Sequence, residues 1–338
     1  MPPITQWAQA FPPNAYWKSK NAYSFKTKKS KTGVYVYELS ANRPGYFTGK
    51  KAASISLLGL VEGATSYPAF LRVTDNGSIL MGPEADFIKS IKGSVVLQRY
   101  GSLDLGLGNN VIALDGSLEL YDNSRVSLLD GSDSITAAGD VFGIRVNAAS
   151  LSTGPGDDTI KASSPPYRNI PYAASSDTSG IYISSGALET GAGNDIITGL
   201  GMSGIVDGVP LNDPELDNGI GFLIKDGGIL STGDGNDIIT GGAVNWEGSA
   251  SITTGEGDDT IESVIFGNNI GTPSLDMGNG IDKVRLRSLS YEVTPIAGGF
   301  NISRLGGGFN INAYGVEYVA SQYGTWIPLV AGPLDLSV

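Results

Sequence analysis

Thr232-Gly233-Asp234-Gly235-Asn236-Asp237-Ile238-Ile239 is the stretch that decides how this chain folds. Its two glycines permit positive φ and a tight bend, its second aspartate can turn a carboxylate into that bend, and the isoleucines open a strand with one side chain inward. Copies stand at Thr153-Gly154-Pro155-Gly156-Asp157-Asp158-Thr159-Ile160, at Thr190-Gly191-Ala192-Gly193-Asn194-Asp195-Ile196-Ile197 and at Thr254-Gly255-Glu256-Gly257-Asp258-Asp259-Thr260-Ile261. A looser copy is Met277-Gly278-Asn279-Gly280-Ile281-Asp282-Lys283-Val284. Each copy reads as a corner of a coiled chain.

Weaker corners extend the pattern toward the N-terminus. Met81-Gly82-Pro83-Glu84-Ala85-Asp86-Phe87-Ile88 is degenerate, Leu105-Gly106-Leu107-Gly108-Asn109-Asn110-Val111-Ile112 puts Asn in the Asp position, and a partial corner spans 129–135. The steps Gly82 to Gly106, Gly233 to Gly255 and Gly255 to Gly278 are all close to 23 residues, the mark of stacked coils. Apolar runs at Gly143-Ile144-Arg145-Val146, Gly180-Ile181-Tyr182-Ile183 and Phe222-Leu223-Ile224 recur ahead of their corners and supply a second strand per coil. Helical periodicity is missing. The fold expected is all-β: a parallel β-helix or solenoid of either hand, with coils of about 23 residues. A small β-rich head over 1–75 precedes it, the solenoid occupies 76–288, and a β-rich cap follows over 289–338. Two steps are too long, and the surplus falls at about 162–179 and 199–218, loops expected to rise side by side on one face.

The corners resemble the glycine- and aspartate-rich nonapeptide of RTX, or hemolysin-type calcium-binding, repeat proteins, over about 150–320. In that family the copies follow one another every nine residues and build β-rolls around calcium. Here they are far apart, so each coil carries one corner. The resemblance implies that Asp158, Asp195, Asp237, Asp259 and Asp282 are calcium ligands. The residues argue in the same direction: carboxylates one coil apart repel by about 1 kcal/mol in water, and a hard ion taking oxygen ligands offsets that. The alternative is a set of solvated aspartates that cap turn amides without metal, with Asn194 and Asn236 diluting the charge.

Composition narrows the function. The chain has 338 residues, 41% of them hydrophobic, enough for a core, and no window near the roughly 20 apolar residues of a membrane span. It has no cysteine and no histidine, which removes disulfides, thiolate sites, His-based zinc and the Ser-His-Asp triad. Net charge is −12, yet residues 1–51 hold nine basic side chains against Glu38 alone. This basic head suits an anionic partner or docking on the acidic body. Aromatics at Trp7, Phe11, Tyr16 and Trp17 could stack on single-stranded nucleic acid, but the body's acidity makes nucleic acid an unexpected partner.

No residue is assigned a catalytic role and no organic cofactor is expected; the expected cofactor is Ca2+. The reading is a non-enzymatic extracellular structural or adhesive protein, a calcium-stiffened solenoid on a bacterial cell surface or in a phage virion as a fibre or decoration protein. Homo-oligomers or a larger assembly are expected, with a cell-surface glycan as a partner for the 162–179 and 199–218 loops. Met1-Pro2-Pro3 shows no cleavable signal, and the tail Pro333-Leu334-Asp335-Leu336-Ser337-Val338 resembles, weakly, an uncleaved type I secretion signal. The competing class is a carbohydrate-active β-helix enzyme, a lyase, epimerase or tailspike-type hydrolase, using carboxylates such as Asp213 and Glu215, or Asp217 with Asp226.

Overall fold

The computed structural model describes residues 69–80, 83, 85–91, 93–164, 178–201, 219–271, 273–287, 289–321 and 324–336, with the backbones of short strands within 23–66 and 205–210. These residues form strands and turns, with no helix among them and hence none long and apolar enough to cross a membrane. Successive coils pair in parallel through long ladders, giving the expected parallel β-solenoid.

Each coil has three strands, one more than the sequence pattern supplies. In one coil these are Ser150–Ser152 before the corner, Thr159–Ser163 after it and Ser179–Ser184 on a third face. The pre-corner strands are three residues long through most of the stack, too short to leave a period-two signature. A residue at positive φ, such as Asp226 or Ser185, turns the chain from the third face to the first of the next coil.

One inward residue per strand on the first face, and mostly two on the other faces, such as Ile181 with Ile183, build the core. On the first face Leu103, Val126, Leu151, Leu188, Leu230, Ile252 and Leu275 are successive cross-strand partners. On the second, Ile112, Ile135, Ile160, Ile197, Ile239, Ile261 and Val284 stack likewise. On the third the series is Leu118, Ile144, Ile181, Phe222, Val244 and Ile265. All are fully buried or nearly so, each contributing roughly 1.5–3 kcal/mol by removal from water. The three ladders lock the register, because a one-residue slip would turn every one of these side chains outward.

The domain boundaries shift at both ends. Tyr35–Ala41, Gly45–Thr48 and Ser54–Leu58 already pair in parallel with the three strands of the first recognisable coil, so the solenoid begins within the head expected over 1–75. The reason this coil escapes a repeat search is that its strands are linked without a Gly-x-Gly-x-Asp corner. Within the cap, Asn310–Tyr314 and Tyr318–Ala320 pair in parallel with Ser274–Asp276 and Lys283–Leu286 and complete one more coil. Antiparallel strands Ser290–Ile296, Gly299–Arg304 and Gly332–Asp335 then close that end. The surplus residues leave after Thr159–Ser163 and Ile196–Leu200, where the loops were expected; 165–177 and most of 202–218 lie outside the described residues, as do the aromatic arm and the side chains of the basic head.

Candidate metal centre

Stacking brings the corners into contact through their backbones. A Cβ on Gly235, at φ +145°, would lie 1.8 Å from the Gly193 carbonyl oxygen of the coil before, so only glycine fits. The second glycine of each corner still donates to the next coil, Gly235 to the Glu256 carbonyl at 2.7 Å for example, whereas side chains serve the two amides that follow it.

Two polar files do so, running in opposite directions from adjacent residues. In the inner file each side chain reaches back one coil. The amides of Asp133, Asp158, Asp195, Asp237 and Asp259 donate to Oδ1 of Asp158, Asp195, Asp237, Asp259 and Asp282 at 2.7–2.8 Å. Asn110 and Asp133 extend it toward the N-terminus, and Glu317 ends it by accepting from the Asp282 amide at 2.8 Å. In the outer file each side chain reaches forward: the amides of Asn194, Asn236, Asp258 and Ile281 donate to Asp157, Asn194, Asn236 and Asp258.

All five residues expected to bind metal therefore belong to one inner file, and all are at most 1% exposed. The solvated, turn-capping alternative fits only in part. The aspartates do accept amides, but from the neighbouring coil and away from water. Asn194 and Asn236 sit in the exposed outer file and do not dilute the inner charge. Sequence reasoning assigned no ligand role to Asp133 or Glu317. Asp133 follows Ser132 in a corner lacking the first glycine, and Glu317 stands in a cap whose last coil is interrupted by a hairpin.

The unused oxygen of each carboxylate is the chemically telling atom. Oδ2 of Asp133, Asp158, Asp195, Asp237, Asp259 and Asp282 is buried without a hydrogen-bond partner. Near Asp158, Asp195, Asp237 and Asp259 stands a threonine hydroxyl, Thr153, Thr190, Thr232 and Thr254, that favours the ionised carboxyl. Each hydroxyl has one proton, however, and it points at a carbonyl of the next coil, Thr232 to Thr254 at 3.3 Å for example. Burial dominates: it pushes Asp133, Asp237 and Asp282 up to about 7 and Asp158 to about 6, and raises Asp195 and Asp259 as well.

Asn110 shows what that position faces. Its Nδ2 donates to the carbonyls of Gly106 at 3.1 Å, Gly108 at 2.8 Å and Leu128 of the next coil at 3.2 Å. The corresponding carbonyls at the Asp237 corner are those of Gly233, Gly235 and Thr254. By that correspondence the Asp237 carboxylate stands among backbone carbonyl oxygens, with the Thr232 hydroxyl beside it. Such a set fits a hard cation, which takes carboxylate and backbone oxygens together. Each coil contributes one inner carboxylate, and among the described residues no three acidic side chains gather at one point. Any ion would therefore rest chiefly on backbone carbonyls and on carboxylates of successive coils.

Of the acids considered for catalysis, Asp213, Glu215 and Asp217 lie outside the described residues, and Asp226 is an exposed turn residue that accepts from the Ser184 hydroxyl at 2.9 Å. No protein-family model matches the chain, and no curated protein matches it.

Proposed function

We propose that this chain is an RTX-type, calcium-stiffened β-solenoid with a structural, non-enzymatic role outside the cell, on a bacterial surface or in a phage virion, as part of a larger assembly. The observation that carries the reading is the exchange between Asn110 and the aspartates. Where the corner holds Asn110, its Nδ2 donates to the corner carbonyls; where it holds an aspartate, a buried second carboxylate oxygen without a hydrogen-bond partner takes the place of that donor. Bound calcium supplies positive charge to that oxygen set and links one coil to the next. Asp158, Asp195, Asp237, Asp259 and Asp282 would hold it, with Asp133 a sixth candidate.

The donor set supports an extracellular home. A site built largely from backbone carbonyls carries few charges, and weak all-oxygen sites work at roughly 0.1–1 mM calcium, a level found outside cells. The rigid stack then serves as a shaft, with the chain surplus after Ser163 and Leu200 available for contacts with a surface glycan.

Thermal unfolding followed by circular dichroism, in EDTA and in millimolar calcium, tests the proposal. Calcium is expected to raise the midpoint, and Asp237→Asn to reduce the number of ions bound in calorimetric titration. An unchanged midpoint together with no bound calcium would sink it.

A further inference from the structure

The outer side of the third face carries a second cluster, unconnected with the corners. Glu119, Arg145, Tyr182 and Leu223 are successive cross-strand partners, so four coils place these side chains in one row. The Arg145 guanidinium carbon lies 5.1 Å from the Tyr121 ring centre and 4.9 Å from those of Phe142 and Tyr182. Phe142, Tyr182 and Leu223 are buried, whereas Glu119, Tyr121 and Arg145 are partly exposed. The cluster thus has a closed apolar wall and an open polar rim.

Its hydrogen bonds leave the cation available. Glu119 is the direct cross-strand neighbour of Arg145, and opposite charges so placed ordinarily close on each other. Here the Glu119 oxygens accept instead from the Ser117 hydroxyl at 2.6 Å and from the Tyr121 hydroxyl. The Tyr121 oxygen is in turn within hydrogen-bonding reach of Arg145. The buried Nε of Arg145 has no hydrogen-bond partner among the described residues. Because Nε is closed to solvent, it is the terminal nitrogens of this guanidinium, held by ring faces, that can meet a planar acceptor such as a carboxylate.

We propose that this cluster is a subsite for an acidic sugar, with Arg145 taking the ligand carboxylate and Glu119 and Tyr121 taking its hydroxyl groups. The carboxylate of Glu119 beside the guanidinium selects this class: it opposes a bare polyanion and accepts from hydroxyl donors, and a uronic acid offers one negative charge among several hydroxyls. The site needs no residue of the corners.

The test is calorimetric titration of the full chain, at fixed calcium, with a trimer of galacturonic acid, its neutral methyl ester and inorganic sulfate. The acid trimer is expected to bind, the ester and sulfate at least about tenfold more weakly, and Arg145→Gln to cost about tenfold or more while the variant still unfolds cooperatively. Arg145→Lys, which keeps the charge and loses the planar fork, should fall between, and serves if Arg145→Gln does not fold. Equal binding of the ester, equal binding of sulfate, undiminished binding by both Arg145 variants, or no binding of the acid trimer up to about 10 mM would each overturn the proposal. Asp237→Asn, which alters only a corner, should leave this binding unchanged, so failure here and failure of the calcium reading are separable.

Discussion

The corner at Asn110 and the corner at Asp237 are the same turn, and the side chains that complete them differ in one atom. Both side chains are buried, and both accept an amide of the preceding coil through Oδ1. The second branch is Nδ2 in one and Oδ2 in the other. Nδ2 finds three carbonyl oxygens within 3.2 Å; Oδ2 finds no donor. A corner closed by an amide is complete in itself, while one closed by a carboxylate is completed by a proton or a bound cation. The stack from Asp133 to Asp282 repeats that incomplete corner six times, with the complete one before it and Glu317 after it.

Removing calcium should break this comparison most visibly. With several sites acting together, chelation is expected to lower the melting midpoint by about 10 °C or more, measured by circular dichroism. An equal midpoint would mean that the carboxylate corners are as complete as Asn110.

The metal-free protein should next reveal the proton as the other way to complete a corner. Asp133, Asp158, Asp237 and Asp282 sit at about 6–7 when folded and near the ordinary value of about 3.9 when unfolded. For a raised carboxyl the folded state holds the extra proton. Its stabilisation is therefore full below about pH 4 and lost as pH rises through 6–7. Without calcium the protein is expected to melt higher at pH 5 than at pH 8; with calcium, whose ligand is the ionised form, that trend should flatten or reverse. A metal-free midpoint that rises from pH 5 to 8 would contradict the burial of these groups.

Glycine substitutions sharpen the role of close stacking. Gly235→Ala should cost about 3 kcal/mol or more, because its Cβ meets a carbonyl at 1.8 Å, whereas Gly227→Ala, at φ +77° with its nearest neighbour at 3.5 Å, should cost about 1 kcal/mol. Similar losses in chemical denaturation would show that backbone contact is not what the corner glycines serve.

Exchanging the decisive atom directly gives a smaller effect of informative sign. In EDTA, Asp237→Asn is expected to stabilise by about 1–2 kcal/mol by supplying the missing donors. Asp237→Ala should destabilise by about 1–3 kcal/mol, because the Asp195 amide loses its acceptor. Destabilisation by both would indicate that the Asn110 arrangement does not transfer. The smallest change belongs to the exposed outer file: Asn236→Ala, which frees one amide to water, should cost about 0.5–1 kcal/mol and leave calcium stoichiometry untouched.

Much of this was legible in the chain itself. The Gly-x-Gly-x-Asp copies marked five members of the inner file, since both glycines are demanded by backbone contact and the aspartate by an orphan amide, local needs that recur wherever a coil turns. The third strand of each coil was hidden because three residues cannot display alternation, and the coil over 35–58 because its links lack the corner motif. Asp133 and Glu317 were missed as members of the file, since their neighbours in sequence carry little of the pattern and only stacking brings them into line. The Arg145 cluster was invisible for the same reason: Glu119, Arg145 and Tyr182 lie in three different coils, and one coil holds at most a pair of its members, such as Glu119 with Tyr121.

What the sequence by itself determined was the repeating local chemistry: where the chain turns, which face of each strand is apolar, and which carboxylates recur at the turns. What only the tertiary structure decided was direction and partnership. It set the inner file reaching back and the outer file reaching forward, withheld a donor from each Oδ2, and turned Glu119 from Arg145 to Tyr121. The physical reason is that a solenoid satisfies its polar groups between coils, through contacts about 4.8 Å apart in space and more than 20 residues apart in sequence. Pattern within a coil constrains those contacts, but only stacking assigns them.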